Sequence, residues 1–599
     1  DAVLEVWING LLSNPVTHVA NILSNGMTTV WAIPERFLAA GIGNINSGEA
    51  VTQMKGMAEG IREGFVMGWQ AFKSGDAIIG ASKVEQLQRM AFTAETWGVG
   101  AGKIGQAVDF MGTIARSPGR LLLAADEFFK GINYRMELNA QAYRAATEGG
   151  GTRQEIADRM AAFLADPPPS MIDDAQNYAF YQTFTNALDQ EGAAFESLGR
   201  FSQKLSEGLN EAPALRFALP FLRTPFNIAR FTAERTPLGA LSKNVRDDLI
   251  ARGPRGAMAR SKMALGTMTM ASVALFAGEG RITGRGPLNP ALRQAKLRTG
   301  WRPYSALIGD KYISFHRLDP LGNLVGLVAD FAEMRGEMTD PEAEDLGGAI
   351  LMSFYNNLSS KTYMKGVAEL MKTLSPQGYA NEPGQAFKPG GRWIRQLVGS
   401  FVPAGVANVA RVSDPILRDA RTAMDKLASR IPGFSKTVLP RRNLWGEPIQ
   451  LEGALGPDMV SPLYISTRKQ DDVDDKIWEL RLPIHHAPKV WRTGGGTPVK
   501  LTPEQYDRYV LLAAGHGLGG ETSAIKPLKE QIRGVIRRKD FDTQDQEIQR
   551  RLIAAAVERY RSGARLQMFV EFPDLAKEFQ GSSKNAQILR RRQGQIGIR

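Results

Sequence analysis

The stretch Trp7-Ile8-Asn9-Gly10-Leu11-Leu12-Ser13-Asn14-Pro15-Val16-Thr17-His18-Val19-Ala20-Asn21-Ile22-Leu23-Ser24-Asn25 reads as two apolar helical turns, a break at Ser-Asn-Pro, and a helix that restarts at once. Proline interrupts a running helix. The same grammar extends outward along the chain. Runs rich in Ala, Leu, Met, Glu, Lys, Arg and Gln recur at three-to-four spacing, and period-two runs of Val, Ile, Thr and aromatics are scarce. The pattern predicts an all-α, multi-domain, elongated fold.

Pro34 admits a second restart at Glu35-Arg36-Phe37. Residues 50–75 and 84–115 read as long helices, the first with Gly56, Gly60, Gly64 and Gly68 at four-residue spacing. Such a stripe permits close helix approach, in a membrane or in a tight soluble bundle. Ser117-Pro118-Gly119 opens a helix over Arg120 to Thr147, in which Asp126 and Lys130 form a surface pair and Phe128, Phe129, Ile132 and Met136 a core stripe. Glu127, Arg135 and Glu137 take structural roles in that reading. Gly149-Gly150-Gly151 ends the helix, Thr152 with Glu155 makes a capping box, and Pro167-Pro168-Pro169 is a stiff connection.

The middle of the chain is basic and kinked. Of the net charge of +12, Glu211 to Arg302 carries nearly all, with 16 Lys and Arg against five Asp and Glu. Two prolines, Pro220 and Pro225, punctuate an apolar run there and force breaks. A block of this sign suits a phosphate backbone or anionic lipid, or is a solvated face. The candidates for facing DNA phosphate are Arg216, Arg223, Arg230, Arg235, Arg252, Arg255, Arg260, Arg281, Arg285, Arg293, Lys296 and Arg298.

Met263 to Gly278 is the most apolar window, 16 residues without a charge, against about 20 for a bilayer core. A buried helix of an α-bundle is the first reading. A membrane-inserting helix is the second, with Met263, Leu265, Met268, Met270, Val273, Leu275 and Phe276 entering the bilayer. Beyond it, Trp301–Ser305 and Lys311–Phe315 suggest a β-hairpin turning at Gly309-Asp310. Helices resume over Leu321–Met334, Asp345–Leu374 and Gly391–Leu427. Thr502, Pro503 and Gln505 give a clean helix start, and Arg590-Arg591-Arg592 a basic tail. The divisions are an N-terminal helical domain (1–166), a kinked basic and apolar helical domain (170–280), a loop, hairpin and helical domain (281–430), a linker (431–464) and a C-terminal helical domain (465–599).

Signatures of chemistry are few. The chain has no cysteine and five histidines, which excludes disulfides and thiolate sites. A cysteine-free chain is either compositional drift or suited to an oxidising compartment. His18, His316, His485, His486 and His516 show no metal-ligand spacing. Gly515-His516-Gly517-Leu518-Gly519-Gly520 satisfies GxGxxG but follows a helix, where a dinucleotide site needs a strand, and reads as a glycine-rich helix end. Glu196-Ser197 is the one pair reminiscent of a transglycosylase, in a plain amphipathic helix. No catalytic residue, metal or cofactor is assigned, and the chain is expected not to be an enzyme. It opens at Asp1 rather than Met, as a processed product or a segment of something longer does, and shows no signal peptide.

Five phrases in order, within 7–25, 126–137, 220–237, 284–304 and 501–509, resemble the internal virion (core or ejection) proteins of short-tailed phages, which share a helical module with polyvalent proteins of phages and mobile elements. After the opening phrase, Pro220-Phe221-Leu222-Arg223-Thr224-Pro225 is the second strong point of likeness. The resemblance implies an α-helical protein packaged inside the capsid above the portal as a ring-like homo-oligomer, beside other internal core proteins. It implies release on infection into the host periplasm and inner membrane, as part of a conduit for double-stranded DNA gripped non-specifically by its backbone. The alternative is a noncatalytic region of a mobile-element polyvalent protein delivered with DNA.

Overall fold

The computed structural model describes residues 2–42, 45–80, 91–100, 102–186, 217, 221, 223–335, 392–492, 498–519 and 525–579. Arg216, Glu196, the helix expected over Asp345–Leu374 and the Arg590–Arg592 tail lie outside them. The described chain is mainly helical with a minor β component. Helix α1 (Ala2–Leu12) ends where the sequence breaks, and α2 (Pro15–Ile42) starts at Pro15 with Asn14 accepting the Val16 N–H at 3.0 Å. Helix α3 (Ser47–Ser74) then packs on α4 (Lys103–Glu148), the longest element described.

The α3–α4 contact is made by the glycine stripe. A Cβ at Gly56 would sit 2.6 Å from the Arg135 carbonyl oxygen and one at Gly68 2.7 Å from that of Ala124, while one at Gly64 would overlap that of Phe128. Gly131 of α4 answers with its own missing Cβ, 2.9 Å from the Gly64 Cα. The falling order of the α4 partners as α3 ascends makes the pair antiparallel. Close backbone contact of this kind is open only to residues without a side chain.

Two expected breaks are absent. Pro34 lies inside α2 and Pro118 inside α4, so neither opens a new helix. At Pro118 the reason is visible: proline strains the hydrogen bonding of its turn, and the freed Gly119 N–H is taken by the Asn9 side chain of α1 at 3.0 Å. Helix α4 therefore begins at Lys103, and residues 91–100, expected to be helical, form turns. The Asp126/Lys130 surface pair is also corrected. Both side chains are buried; Lys130 Nζ binds Glu127 Oε1 at 2.7 Å and the Ile79 carbonyl at 2.8 Å, and Asp126 accepts from Asn21 at 3.1 Å. Phe129, Ile132 and Met136 are buried as the apolar stripe requires.

Helices α5 (Arg153–Ala165), entered through the Thr152–Glu155 capping box, and α6 (Pro169–Gln182), with Pro169 in its first turn, close against α4. The kinked basic section supplies α7 (Arg223–Glu234), α8 (Lys243–Ile250) and α9 (Gly253–Gly278). Helix α9 lies on α2, and Gly266 admits the backbone of Arg235, whose carbonyl oxygen would overlap any Cβ there. Helix α10 (Pro290–Arg298) leads to the hairpin β1 (Ser305–Ile308) and β2 (Lys311–Ser314), which turns at Gly309-Asp310 with Gly309 at φ +63°. Helix α11 (Leu321–Arg335) follows.

The span 431–464 is poor in regular structure, yet it is no spacer. Strands β3 (Gly453–Ala454) and β4 (Tyr464–Thr467) extend the hairpin into an antiparallel sheet of order β1-β2-β4-β3. Isolated bridges Arg418–Pro440 and Ile416–Gln450 tie it to the chain before it. Trp445 is buried in the C-terminal core beside Val473, Ile477 and Ile532, and Ala295 of α10 joins the same cluster. The helical stretch expected over 391–427 is three helices, α12 (Arg392–Ser400), α13 (Ala404–Ser413) and α14 (Ala423–Ala428). The C-terminal section holds α15 (Asp472–Glu479), a β5–β6 ribbon (Val490–Arg492 with Pro498–Lys500), and helices α16 (Pro503–Ala513), α17 (Leu528–Ile536) and α18 (Gln546–Glu571). The Thr502–Gln505 capping box opens α16. Gly515, Gly517 and Gly519, all at positive φ, unwind its far end, so the GxGxxG phrase terminates a helix.

Substituting Gly64→Ala should lower the melting temperature, because separating α3 from α4 costs about 1–3 kcal/mol and outweighs the gain of up to about 1 kcal/mol in helix propensity. Gly534→Ala, in α17 with nothing within 4 Å of the added methyl, should raise it. Thermal unfolding followed by circular dichroism separates the two signs.

Candidate functional site

The basic block folds into two populations of cation, and the division follows burial. Arg235 is 1% exposed and clasped by Glu35 of α2, Nε to Oε1 at 2.7 Å and Nη2 to Oε2 at 2.9 Å. Its Nη1 donates to the Tyr181 hydroxyl at 2.9 Å, and its guanidinium lies 3.2 Å from the centroid of the Phe231 ring. The Tyr181 hydroxyl donates in turn to Glu234, which also holds Arg230 Nε at 2.9 Å and Lys262 Nζ at 3.5 Å. Burial opposes ionisation of Glu234, but Lys262, Arg230 and the Tyr181 hydroxyl together bring its pKa down to about 2. Burial likewise works against the Lys262 cation, and Tyr181 and Glu234 overcome it and raise the pKa to about 12.

The neighbouring residue on α2 faces another way. Arg36 is buried between Glu49 of α3, at 3.0 Å, and Glu137 of α4, while Arg144 Nε reaches Glu49 at 3.1 Å. Successive helix residues project about 100° apart, so Glu35 and Arg36 pin α2 to different partners. These are structural ion pairs: each carboxylate is matched by cations. Arg135, on the outer side, pairs with Glu63. No group of three or more His, Asp or Glu able to hold a metal occurs among the described residues.

This arrangement corrects much of the phosphate-facing set. Arg230 and Arg235 are engaged inside the network. Arg298 is paired with Asp474 at 2.6 Å and nearly buried; Lys296 bridges to Glu333 at 3.3 Å and lies over the Trp301 ring. Arg260 donates to the Leu249 and Ala251 carbonyls. Arg223, Arg285 and Arg293 are half-buried, and burial first, then Arg285, holds the Arg293 pKa below its ordinary value. Arg252, Arg255 and Arg281 remain exposed, Arg255 beside Asp248 and Arg281 beside Glu279. Arg246, absent from the sequence-based set, is exposed with them, its Nη1 donating to the Ala240 and Leu241 carbonyls.

The apolar window is the C-terminal part of α9, buried along one side only. Gly256, Ala257, Ser261, Gly266 and Val273 face inward, whereas Met268, Leu275 and Phe276 are exposed, Leu275 by 72%. Met263, Leu265 and Met270 are half-buried. No helix among the described residues is long and apolar enough to cross a membrane.

The structure adds a larger apolar surface. On α3, Val51, Met54, Ala58, Ile61, Phe65 and Trp69 are exposed, Phe65 by 66%. Their spacing alternates between three and four residues for five positions, the seam of a coiled coil. On α4, Ile104, Ala107, Met111, Ile114 and Leu121 repeat the pattern, with Phe110 beside them. The signal lies in the sequence, superposed on the glycine period: the glycines face α4 and the large residues face outward. Contiguous exposed apolar surface of this kind marks an interaction site.

Replacing Glu35 by Gln should leave Arg235 buried without its counter-charge, at a cost of about 3–5 kcal/mol, read as loss of denaturant resistance. The double change Glu35→Leu with Arg235→Met should recover most of that loss in the same measurement. Comparison of the chain with models of protein families, with curated proteins and with solved structures finds no match.

Proposed function

We propose that this chain is a noncatalytic, self-associating helical scaffold of a phage virion: an internal core protein that assembles above the portal and, on infection, leaves to help form a DNA-conducting conduit across the host envelope. The observation that carries the self-association is the outward stripe of α3, continued on the N-terminal half of α4. Burying one large apolar side chain contributes about 1.5–3 kcal/mol, so a seam of five or six such residues from each partner is ample for a stable contact between copies. The α3–α4 clasp holds the seam rigid, so little ordering cost opposes docking. The virion setting rests on the sequence resemblance. The role toward DNA rests on the exposed cations Arg246, Arg252, Arg255 and Arg281, whose contacts would be to phosphate and independent of sequence.

Sedimentation of the intact chain at micromolar concentrations should give a multiple of 65.6 kDa. The double variant Ile61→Glu with Phe65→Glu, at positions exposed in the monomer, should sediment as a single chain with an unchanged circular dichroism spectrum. A wild-type chain that stays monomeric sinks the scaffold reading. Rings in negative-stain images, and recovery of the protein from full but not emptied particles by mass spectrometry, test the virion setting.

Duplex DNA of random sequence should bind with an affinity that falls steeply with salt. Converting Arg246, Arg252 and Arg281 to Ala should flatten the logarithmic salt slope by about 0.9 for each phosphate that is no longer neutralised. Affinity independent of salt, or a slope unchanged in the triple variant, removes the DNA role.

A further inference from the structure

A cavity of about 180 Å³ lies between the 439–442 segment, the 486–489 turn and the start of α16. Part of its lining is apolar, from Leu439, Pro440, Pro503 and Val510. Asp419, Arg441, Arg442, Lys489 and Asp507 make it charged as well, and the charges do not balance. Asp507 is occupied by Arg442 in a bidentate pair, at 2.7 and 3.2 Å. Asp419 is occupied by Lys489 at 2.8 Å and by Arg421 at 2.8 Å. Both carboxylates are therefore saturated by cations already in place. Arg441 is left over: it lines the cavity, is exposed, and its guanidinium has no ion pair or hydrogen bond among the described residues.

His486 faces the same space. Its Nε2 is buried with no hydrogen-bond partner, a state that costs about 1–3 kcal/mol. Burial first, and then Arg441, Arg298, Arg561 and Lys489, depress its pKa to about 4, so the ring is neutral at pH 7. An anion seated among these groups would use the spare guanidinium and neutralise the surplus positive field beside the imidazole ring. A guanidinium fork matches phosphoryl oxygens in particular. The volume suits a body of one ring, since a cavity of about 150 Å³ admits one benzene ring.

We propose that this cavity is a binding site for a small organic phosphate, with the phosphoryl group on Arg441, beside the His486 ring, and a body of one ring or a short alkyl chain against Leu439, Pro440 and Val510. The site is independent of the scaffold seam and of the exposed cations of the basic block, and nothing in the proposed function requires it.

The test is calorimetric titration of the intact chain at pH 7 with phenyl phosphate, inorganic phosphate and benzoate. Phenyl phosphate should bind at one site per chain, at least tenfold tighter than inorganic phosphate, which lacks the apolar body. It should also bind tighter than benzoate, whose head is planar and singly charged. Arg441→Ala, at an exposed side chain, should weaken phenyl phosphate at least tenfold, and Arg441→Glu should abolish binding with the melting temperature unchanged. In a histidine-labelled sample, saturating phenyl phosphate should shift the His486 ring resonance and leave those of His18 and His316 in place. No binding of phenyl phosphate, equal binding by Arg441→Ala, preference for benzoate, or a stationary His486 resonance would each overturn the proposal.

Discussion

The backbone-to-backbone contact between α3 and α4 is the constraint on which the N-terminal half depends. With glycine at 56, 60, 64 and 68, the carbonyls of α4 rest where side chains would otherwise stand. Dispersion contacts along such a pair are individually small and collectively large, and they fall off steeply with separation. Once α3 is fixed there, α4 presents its remaining faces to α1, α2, α5 and α6. The same clasp leaves the large residues of α3 nowhere to go but outward, so the interior packing and the exposed seam are two sides of one sequence pattern.

Charge sets register at the next level. Glu35 and Arg36 sit side by side on α2 and reach Arg235 in one direction and Glu49 and Glu137 in another. A buried pair adds little net stability over an apolar equivalent, yet a mispaired arrangement strands a charge away from water. The observed docking of α7 and α9 on α2 satisfies Glu35, Arg235, Tyr181, Glu234 and Lys262 together. The ionic interior thus fixes how the kinked section sits on the bundle, and the cations it absorbs are subtracted from the surface. A segment with an excess of 11 positive charges in the sequence offers far fewer to a partner.

What was legible in the sequence is local in origin. The capping boxes at Thr152 and Thr502, the turn at Gly309-Asp310, the break at Pro15 and the close approach of Gly56 to Gly68 all follow from residues a few positions apart. What was not legible depends on distant partners. Pro118 continues a helix because Asn9, 110 positions before Gly119, takes the stranded N–H. Arg235 and Glu35 are 200 residues apart, and neither advertises the other. Strand β4 joins a hairpin from far earlier in the chain, which turns an apparent spacer into part of a sheet. The phosphate-facing set loses Arg230, Arg235 and Arg298 for the same reason: net charge over a segment counts cations without saying which are already matched. Arg441 and His486 stand apart in the chain and meet only across a cavity, which has no linear signature.

The length of α4 has a consequence of its own. Forty-six residues in one helix make a strut of about 69 Å at 1.5 Å per residue, far longer than the α-helices around it. Its partner α3 stops near Arg120, where Gly75 meets that side chain, so the first turns of α4 overhang the clasp as a cantilever, braced at Arg116 by Glu5. Asp109 takes the Ala94 N–H and Asn9 the Gly119 N–H, so load on the overhang is shared among the 91–100 turns, α1 and the Glu5–Arg116 brace. The molecule thereby has a built-in ruler, propped along its free end by α1 and the 91–100 turns.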